Sequence, residues 1–290
     1  MLRVLYRNVK MSNMDRQSGS YLKKLLEAVP HGFFVDSKWL KQQGISRQLV
    51  SQYIKQGWLK RVAHGVYRRP EQQVEGTAAD FQDWEALVLS MQLIMNYDVH
   101  VGGTTSLRRQ GHGHYVSMGN QATVFLYGQK IPNWLKSIPV NTPLETRNCK
   151  LFTDPEIGLK DHQSSHDSPP WRWSLNVSSP ERAILEAMNE LPDKESFHII
   201  DMMFQGLVNL RPRLMTELLL ACTSIKVKRL FFVFADHHNH AWRKHVDDTI
   251  FNLGSGDRSL AAGGKLHPKY RIMIPKDLMP KRTESANETT

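Results

Sequence analysis

Between Tyr21 and Arg69 the chain is cut four times, at Pro30-His31-Gly32, Gln43-Gly44, Gly57 and Ala63-His64-Gly65. Glycine enters left-handed backbone without steric cost, so each cut ends an element and leaves pieces too short to be stable unless they pack on one another. Leu22, Leu25, Leu26 and Val29 follow Tyr21 at helical spacing, the stripe of an amphipathic helix. Phe33 to Val35 reads as a short extended piece. Asp36 or Ser37 can cap a second helix carrying Trp39 and Leu40. Ser46 caps a third, running to about Gln56, with Ile45, Leu49, Tyr53 and Ile54 facing inward. Trp58 to Val62 and Gly65 to Arg69 are strand-like runs about a tight turn. Helix, helix, turn, helix, hairpin is the order of a winged helix, and Trp58, Val66 and Tyr67 are expected to pack beneath its helices.

What the third helix leaves facing outward is Gln48, Ser51, Gln52 and Lys55 at helical spacing, with Arg47 beside them. Gln pairs bidentately with adenine and Arg with guanine, while Ser and Lys hold phosphates, so this face suits the major groove. It would equally suit water. The charge distribution favours the groove. Residues 1 to 70 hold 14 Lys and Arg against 3 Asp and Glu, whereas the remainder holds 24 against 25. A cationic module on a neutral body points to a polyanion, because phosphate contacts dominate nucleic-acid affinity. Lys60, Arg61, Arg68 and Arg69 place part of that charge on the hairpin, where a wing would follow the phosphates.

A polar stretch, Glu71 to Thr77, reads as a linker. Phe81, Trp84, Val88, Met91 and Met95 then mark one face of a long helix starting near Ala78, and TTSLRRQG suggests a short helix after Gly102-Gly103. Ala122 to Tyr127 and Trp171 to Val177 have strand composition, while Thr153 to Pro170 reads as a loop. Ser178-Ser179-Pro180-Glu181 announces a helix through its proline and its S-x-x-E spacing. Helical patterns return at Glu195 to Val208 and Pro212 to Ala221. Val227, Leu230, Phe231 and Phe234 are helix-spaced, although Phe232 and Val233 also permit a strand; Tyr270 to Ile274 alternates like one. The fold expected is α+β, an N-terminal winged helix-turn-helix followed by a larger, mixed and mainly helical α/β domain. Its divisions are a disordered leader at 1–17, the winged helix at 18–70, a linker at 71–77, the second domain at 78–276 and a disordered tail at 277–290. Met11 or Met14 is a candidate true start.

Several chemistries are weakened by what is missing. Cys149 and Cys222 cannot make a disulfide framework or a four-ligand zinc site alone, which suits a reducing cytoplasm. The longest apolar piece, Leu230 to Ala235, is far too short for a membrane span. His237, His238, His240 and His245 near Asp236, Asp247 and Asp248 invite a metal, but no H-E-x-x-H signature or cysteine pair backs them. His112 and His114 read as turn residues, and His162 and His166 as loop residues. At Gly263-Gly264-Lys265 a phosphate loop would need glycine at Ser259 and a hydroxyl at Leu266. G-x-S-x-G and G-x-G-x-x-G are absent. We therefore assign no catalytic residue, no metal and no cofactor. Asp236, Asp247 and Asp248 keep open a nuclease or a toxin-modifying transferase, and a ligand-sensing regulator is a third reading.

The string HGFFVDSKWLKQQGISRQLVSQYIKQGWLKRVAHGVYRRP resembles the winged helix of the AbiEi family of type IV antitoxins. GGTTSLRRQGHGHYV, SSPERAILEAM, VKRLFF and LGSGDRSLAAGGKLHPKYRIMIP resemble that family's later signatures in order, over roughly residues 20 to 275. The resemblance implies a repressor of its own operon that counteracts a nucleotidyltransferase-fold toxin in abortive phage infection. It implies binding to operator repeats, in the family's manner, by the helix after Ser46 and the wing around His64. DNA-binding candidates are thus Arg47, Gln48, Ser51, Gln52, Lys55, Lys60, Arg61, His64 and Arg68. Lys228, Arg229, Lys265 and Tyr270 become candidates for the antitoxic surface. The leader and the HHNH stretch depart from the family pattern.

Overall fold

Asp36 ends the first strand and begins the second helix, its carboxylate accepting the Trp39 amide at 2.8 Å. That local bond sets the opening of the fold. The computed structural model describes residues 13–71, 83–113, 123–165, 173–261 and 263–279. Two compact units divide the chain, the first formed by the described parts of Met1–Tyr97, Ile131–Asn141 and Ser164–Trp173 and the second by the rest. The linker expected at 71–77 lies outside the described residues beyond Glu71, as do positions 1–12 of the expected leader.

The first unit opens with α1 (Asn13–Ala28), which starts inside the expected leader, then β1 (Phe34–Asp36), α2 (Ser37–Gln42), α3 (Arg47–Lys55), β2 (Lys60–Ala63) and β3 (Val66–Arg68). The strands order as β1-β3-β2, all antiparallel, the sheet of a winged helix. Leu25, Val29, Phe34, Val35, Leu40, Tyr53, Leu59 and Val66 are its core. Val50 and Tyr53 are the buried residues of α3, and Leu49, expected to face inward, is half-buried. Helix α4 (Trp84–Leu89) belongs to this unit and continues as a wider π turn, Ser90–Ile94. It is buried all round from Glu85 to Met91 rather than along one face. Its Ser90 hydroxyl accepts the Phe34 amide at 2.9 Å and donates to the Ala86 carbonyl at 2.6 Å. Tyr97 donates to Asp36 at 2.5 Å, and burial, then this bond, pushes its phenol up to about 12. This helical segment and Tyr97 thus anchor to β1 through side-chain bonds.

The second unit holds a five-stranded mixed sheet, β6-β5-β4-β8-β7, built from β4 (Val99–Val101), β5 (Val124–Gly128), β6 (Leu144–Arg147), β7 (Leu159–Gln163) and β8 (Ser174–Ser178). Strand β7 lies within the stretch read as a loop. Among the described residues it is an edge strand, LKDHQ, paired with β8 alone, and edges tolerate the charges that hid it. Helices α5 (Gly103–Arg109), α6 (Pro180–Asn189), α7 (Phe197–Gln205), α8 (Pro212–Ala221) and α9 (Ile225–His238) accompany the sheet. A second small sheet, β10-β11-β9, joins Lys265–Leu266, Ile272–Ile274 and Arg258–Ser259. α9 is a helix throughout, as the spacing of Val227, Leu230, Phe231 and Phe234 indicates, and it is buried from Val227 to Ala235, which is why Phe232 and Val233 also looked strand-like. Leu278, expected in the tail, is buried in this unit's core.

α6 organises the unit. Its cap is Ser179, bonded to the Arg182 amide, so the Ser178 to Glu181 capping box does not form. Ser178 instead donates to Glu186 at 2.7 Å, and Glu181 accepts both the amide and the guanidinium of Arg211. Glu186, on the next turn, also accepts from Arg182 Nε at 2.7 Å and the Gly103 amide at 3.0 Å, with His100 Nε2 at 3.0 Å. Burial alone would raise this carboxyl, but His100 and Arg182 prevail and hold it at about 2. A Cβ on Gly102 would lie 2.2 Å from Glu186 Oε2 and 2.6 Å from the Tyr127 ring, so glycine is required there.

Candidate nucleic-acid interface

Ser46 fixes the start of α3, its hydroxyl accepting the Leu49 amide at 3.3 Å. With Val50 and Tyr53 turned inward, helical geometry turns Arg47, Gln48, Ser51, Gln52 and Lys55 outward, and all five are exposed. The structure therefore gathers the five candidates of the third helix on one solvent face.

The hairpin beyond is narrower in what it offers. Lys60, Arg61 and His64 are exposed. Gly65, at φ 72°, lets the tip turn, and its carbonyl accepts the Ser37 amide at 2.8 Å, which ties the tip to α2. Arg61 Nη2 lies 3.0 Å from His64 Nδ1, and its Nε donates to the Ala63 carbonyl, so the two side chains share the tip.

Arg68 and Arg69 face other work. Arg68 donates to the Gly32 carbonyl at 2.9 Å, pairs with Glu71 and lies over the Phe34 ring, so it joins β3 to the α1–β1 turn. Arg69 donates to the carbonyls of Leu26 and Val29 at 2.7 and 2.6 Å. Those are end carbonyls that α1 cannot satisfy internally, and a cation there also suits the helix dipole. These two arginines brace the module instead of serving the wing's outer edge.

Trp58, expected beneath the helices, is 40% exposed, while its neighbour Leu59 is 2% exposed. Extended residues alternate faces, so a buried Leu59 puts Trp58 and Lys60 on the same outer side. The signal was in the sequence, since Leu59 is the better core residue of the pair. The outer surface thus combines an indole, amide side chains and cations around α3 and the wing.

The other residues singled out lie in the second unit. Arg229 is buried and donates to the carbonyls of Leu253, Gly254, Gly256 and Arg271 at 2.7 to 3.0 Å. Tyr270 is buried, with its hydroxyl proton shared between Asp236 at 2.5 Å and Asp248 at 2.8 Å; burial and those carboxylates raise its phenol. Lys228 is buried, and Lys265 is exposed on β10. Asp236 also accepts from Arg243 at 2.6 Å, and Asp248 from Lys269 at 2.5 Å. Asp247 is exposed and bonds Thr249. Two of the three carboxylates are therefore brought together, but around a tyrosine and two cations. His112 lies beside the Gly206 carbonyl and His162 is half-buried on β7, while His114 and His166 fall outside the described residues.

Sequence profiles match along nearly the whole length. One described as "Transcriptional regulator, AbiEi antitoxin N-terminal domain" matches residues 18–118, and one described as "Transcriptional regulator, AbiEi antitoxin, Type IV TA system" matches residues 121–275. The chain belongs to the AbiEi antitoxin family. This antitoxin is a transcriptional regulator of a type IV toxin–antitoxin system. Its mixed α+β fold is similar to the crystal structure of the RV2827C protein from Mycobacterium tuberculosis, with a TM-score of 0.51 and 14% identity over 88% of this chain and 90% of that one. At that identity the likeness speaks for the fold of the antitoxin alone. No curated protein matches it. Among the described residues, no helix of the antitoxin is long and apolar enough to cross a membrane.

Proposed function

We propose that this antitoxin binds double-stranded operator DNA with α3 in the major groove and the β2–β3 wing along the phosphates, and so represses its own operon. The observation that carries the reading is the exposed set Arg47, Gln48, Ser51, Gln52 and Lys55, held outward by the inward pair Val50 and Tyr53. Lys60, Arg61 and His64 extend it onto the hairpin. Arg47 and Gln48 carry the donor pattern for base edges, while Ser51, Lys55 and Lys60 carry that for phosphates. The concentration of positive charge in residues 1 to 70 supports the same reading.

In the reading we favour, the second unit counteracts a nucleotidyltransferase-like toxin without catalysis, and the protein works in the cytoplasm. Lys265 is the member of the resemblance-derived set that reaches solvent, and Arg229 and Tyr270 would support that surface from within. Asp236 and Asp248 are bonded to Tyr270 and Arg243, which argues against a free nuclease carboxylate pair.

The test is binding of the protein to the DNA upstream of its own gene and to base-substituted copies. Arg47→Ala or Gln48→Ala should lose about 1 to 3 kcal/mol on the preferred sequence and less on substituted ones. Lys60→Ala should weaken every sequence alike. Equal losses on all sequences for the three variants would refute the division of roles.

A further inference from the structure

The histidines of the HHNH stretch acquire a partner that spacing could not show. Helix α7 brings Asp201 against the last turn of α9, where Asp201 Oδ1 lies 2.8 Å from His238 Nε2. His237 closes the group: its ring centroid is 5.0 Å from that of His238, and one ligand atom from each of Asp201, His237 and His238 lies within 4.8 Å of the others. The carboxylates next in sequence take no part. Asp236 and Asp248 turn toward Tyr270 and Arg243.

We infer that Asp201, His237 and His238 form a binding site for a divalent transition-metal ion, zinc in the first place, that clamps α7 to the end of α9. Two imidazoles and one carboxylate are a donor set that zinc accepts, leaving a fourth tetrahedral position for water. Ligand atoms in such a site are about 3.3 Å apart at ordinary zinc–ligand lengths. Asp201 and His238 need to separate by roughly half an ångström, and His237 to close by up to about 1.5 Å through side-chain rotation. The ion would take the Nε2 lone pair of His238 in its Nδ1-protonated tautomer, replacing the hydrogen bond to Asp201 with two metal–ligand bonds.

The site is reachable and partly prepared. His237 is exposed, and Asp201 keeps 32% of its side chain in solvent against 12% for His238. The His238 ring packs beside Phe204 at 5.6 Å and His240 at 5.7 Å, those two rings being 6.3 Å apart, and His240 is itself fixed by the Phe204 carbonyl at 3.0 Å. A ring held in this way loses little freedom on ligation. Asn239 ends α9 with φ 48° and ψ 43°, which stops the helix immediately after the two ligands.

The experiment is calorimetric titration of Zn²⁺ into the full-length, chelator-treated protein, with thermal melting in parallel. The wild type should bind one zinc with a melting rise of at least about 5 °C at a hundredfold excess over the dissociation constant. His237→Ala and Asp201→Asn should each weaken that binding at least about tenfold and abolish the rise. His245→Ala, an exposed histidine outside the cluster, should behave as the wild type. His237 is exposed, so its variant keeps the zinc-free melting temperature and decides the matter even if Asp201→Asn folds poorly. Zinc binding unchanged in His237→Ala, equal loss in His245→Ala, or no zinc response in the wild type would each overturn the assignment.

Discussion

Arg229 separates two roles a cation can have in the second unit, holding the chain together or meeting a partner. Its guanidinium donates to four backbone carbonyls, those of Leu253, Gly254, Gly256 and Arg271. Gly254 and Gly256 sit at φ 66° and 74°, and the turn they permit brings their carbonyls onto one fork. Arg229→Ala removes four charge-assisted bonds. Each is worth about 1.5 to 3 kcal/mol when buried, but residues 254 to 256 are exposed and water can recover part of the loss. A net cost of about 3 to 5 kcal/mol follows, the range for breaking one side of a buried charged contact. Over a unit of this size that lowers the melting temperature by roughly 10 °C. Arg229→Lys should recover only part of it, because an ammonium cannot present a planar fork to four acceptors. The assay is thermal and urea unfolding of the full-length variants beside a growth test of antitoxicity. Wild-type melting together with lost antitoxicity in Arg229→Ala would refute this reasoning and make Arg229 a contact residue.

Other consequences concern the buried carboxylate and the bracing arginines. Glu186 is held at about 2 in the folded chain against an ordinary 4.5, so its contribution is complete above pH 4.5. The unfolded chain binds the proton first, and stability should therefore fall as pH drops from about 4.5 toward 2, by up to about 3 kcal/mol. A Glu186→Gln variant whose urea midpoint follows the same acid dependence as the wild type would contradict this. Arg69→Ala should destabilise the winged helix by about 2 kcal/mol through the open end of α1, yet leave the salt dependence of DNA binding unchanged. A flattened salt slope in that variant would place Arg69 on a phosphate instead.

How much of this was legible depends on the range of the interactions. The first unit's caps and breaks are local: Asp36 and Ser46 cap the amides three residues on, Gly57 and Gly65 turn the chain where they stand, and the elements begin and end there. Arg68 and Arg69 looked like wing cations because their acceptors, at Gly32, Leu26 and Val29, are some 36 to 43 residues away in sequence. Strand β7 was hidden by its edge position, and β4 by its three-residue length. The Glu186 network draws on His100, Gly103 and Ser178, and Asp201 meets His238 across 37 residues. Polar sites assembled by tertiary packing leave no periodic trace.

The most direct measurement of the central claim is the affinity of the full-length protein for duplex DNA from its own upstream region across a salt series, read by fluorescence anisotropy. Binding should be tight at low salt, with the logarithm of the binding constant falling linearly as the logarithm of salt rises, and the slope should drop by about 1 in Lys60→Ala. Absence of binding at low ionic strength, or a slope untouched by Lys60→Ala while Lys265→Ala reduces it, would contradict a DNA interface on α3 and the wing.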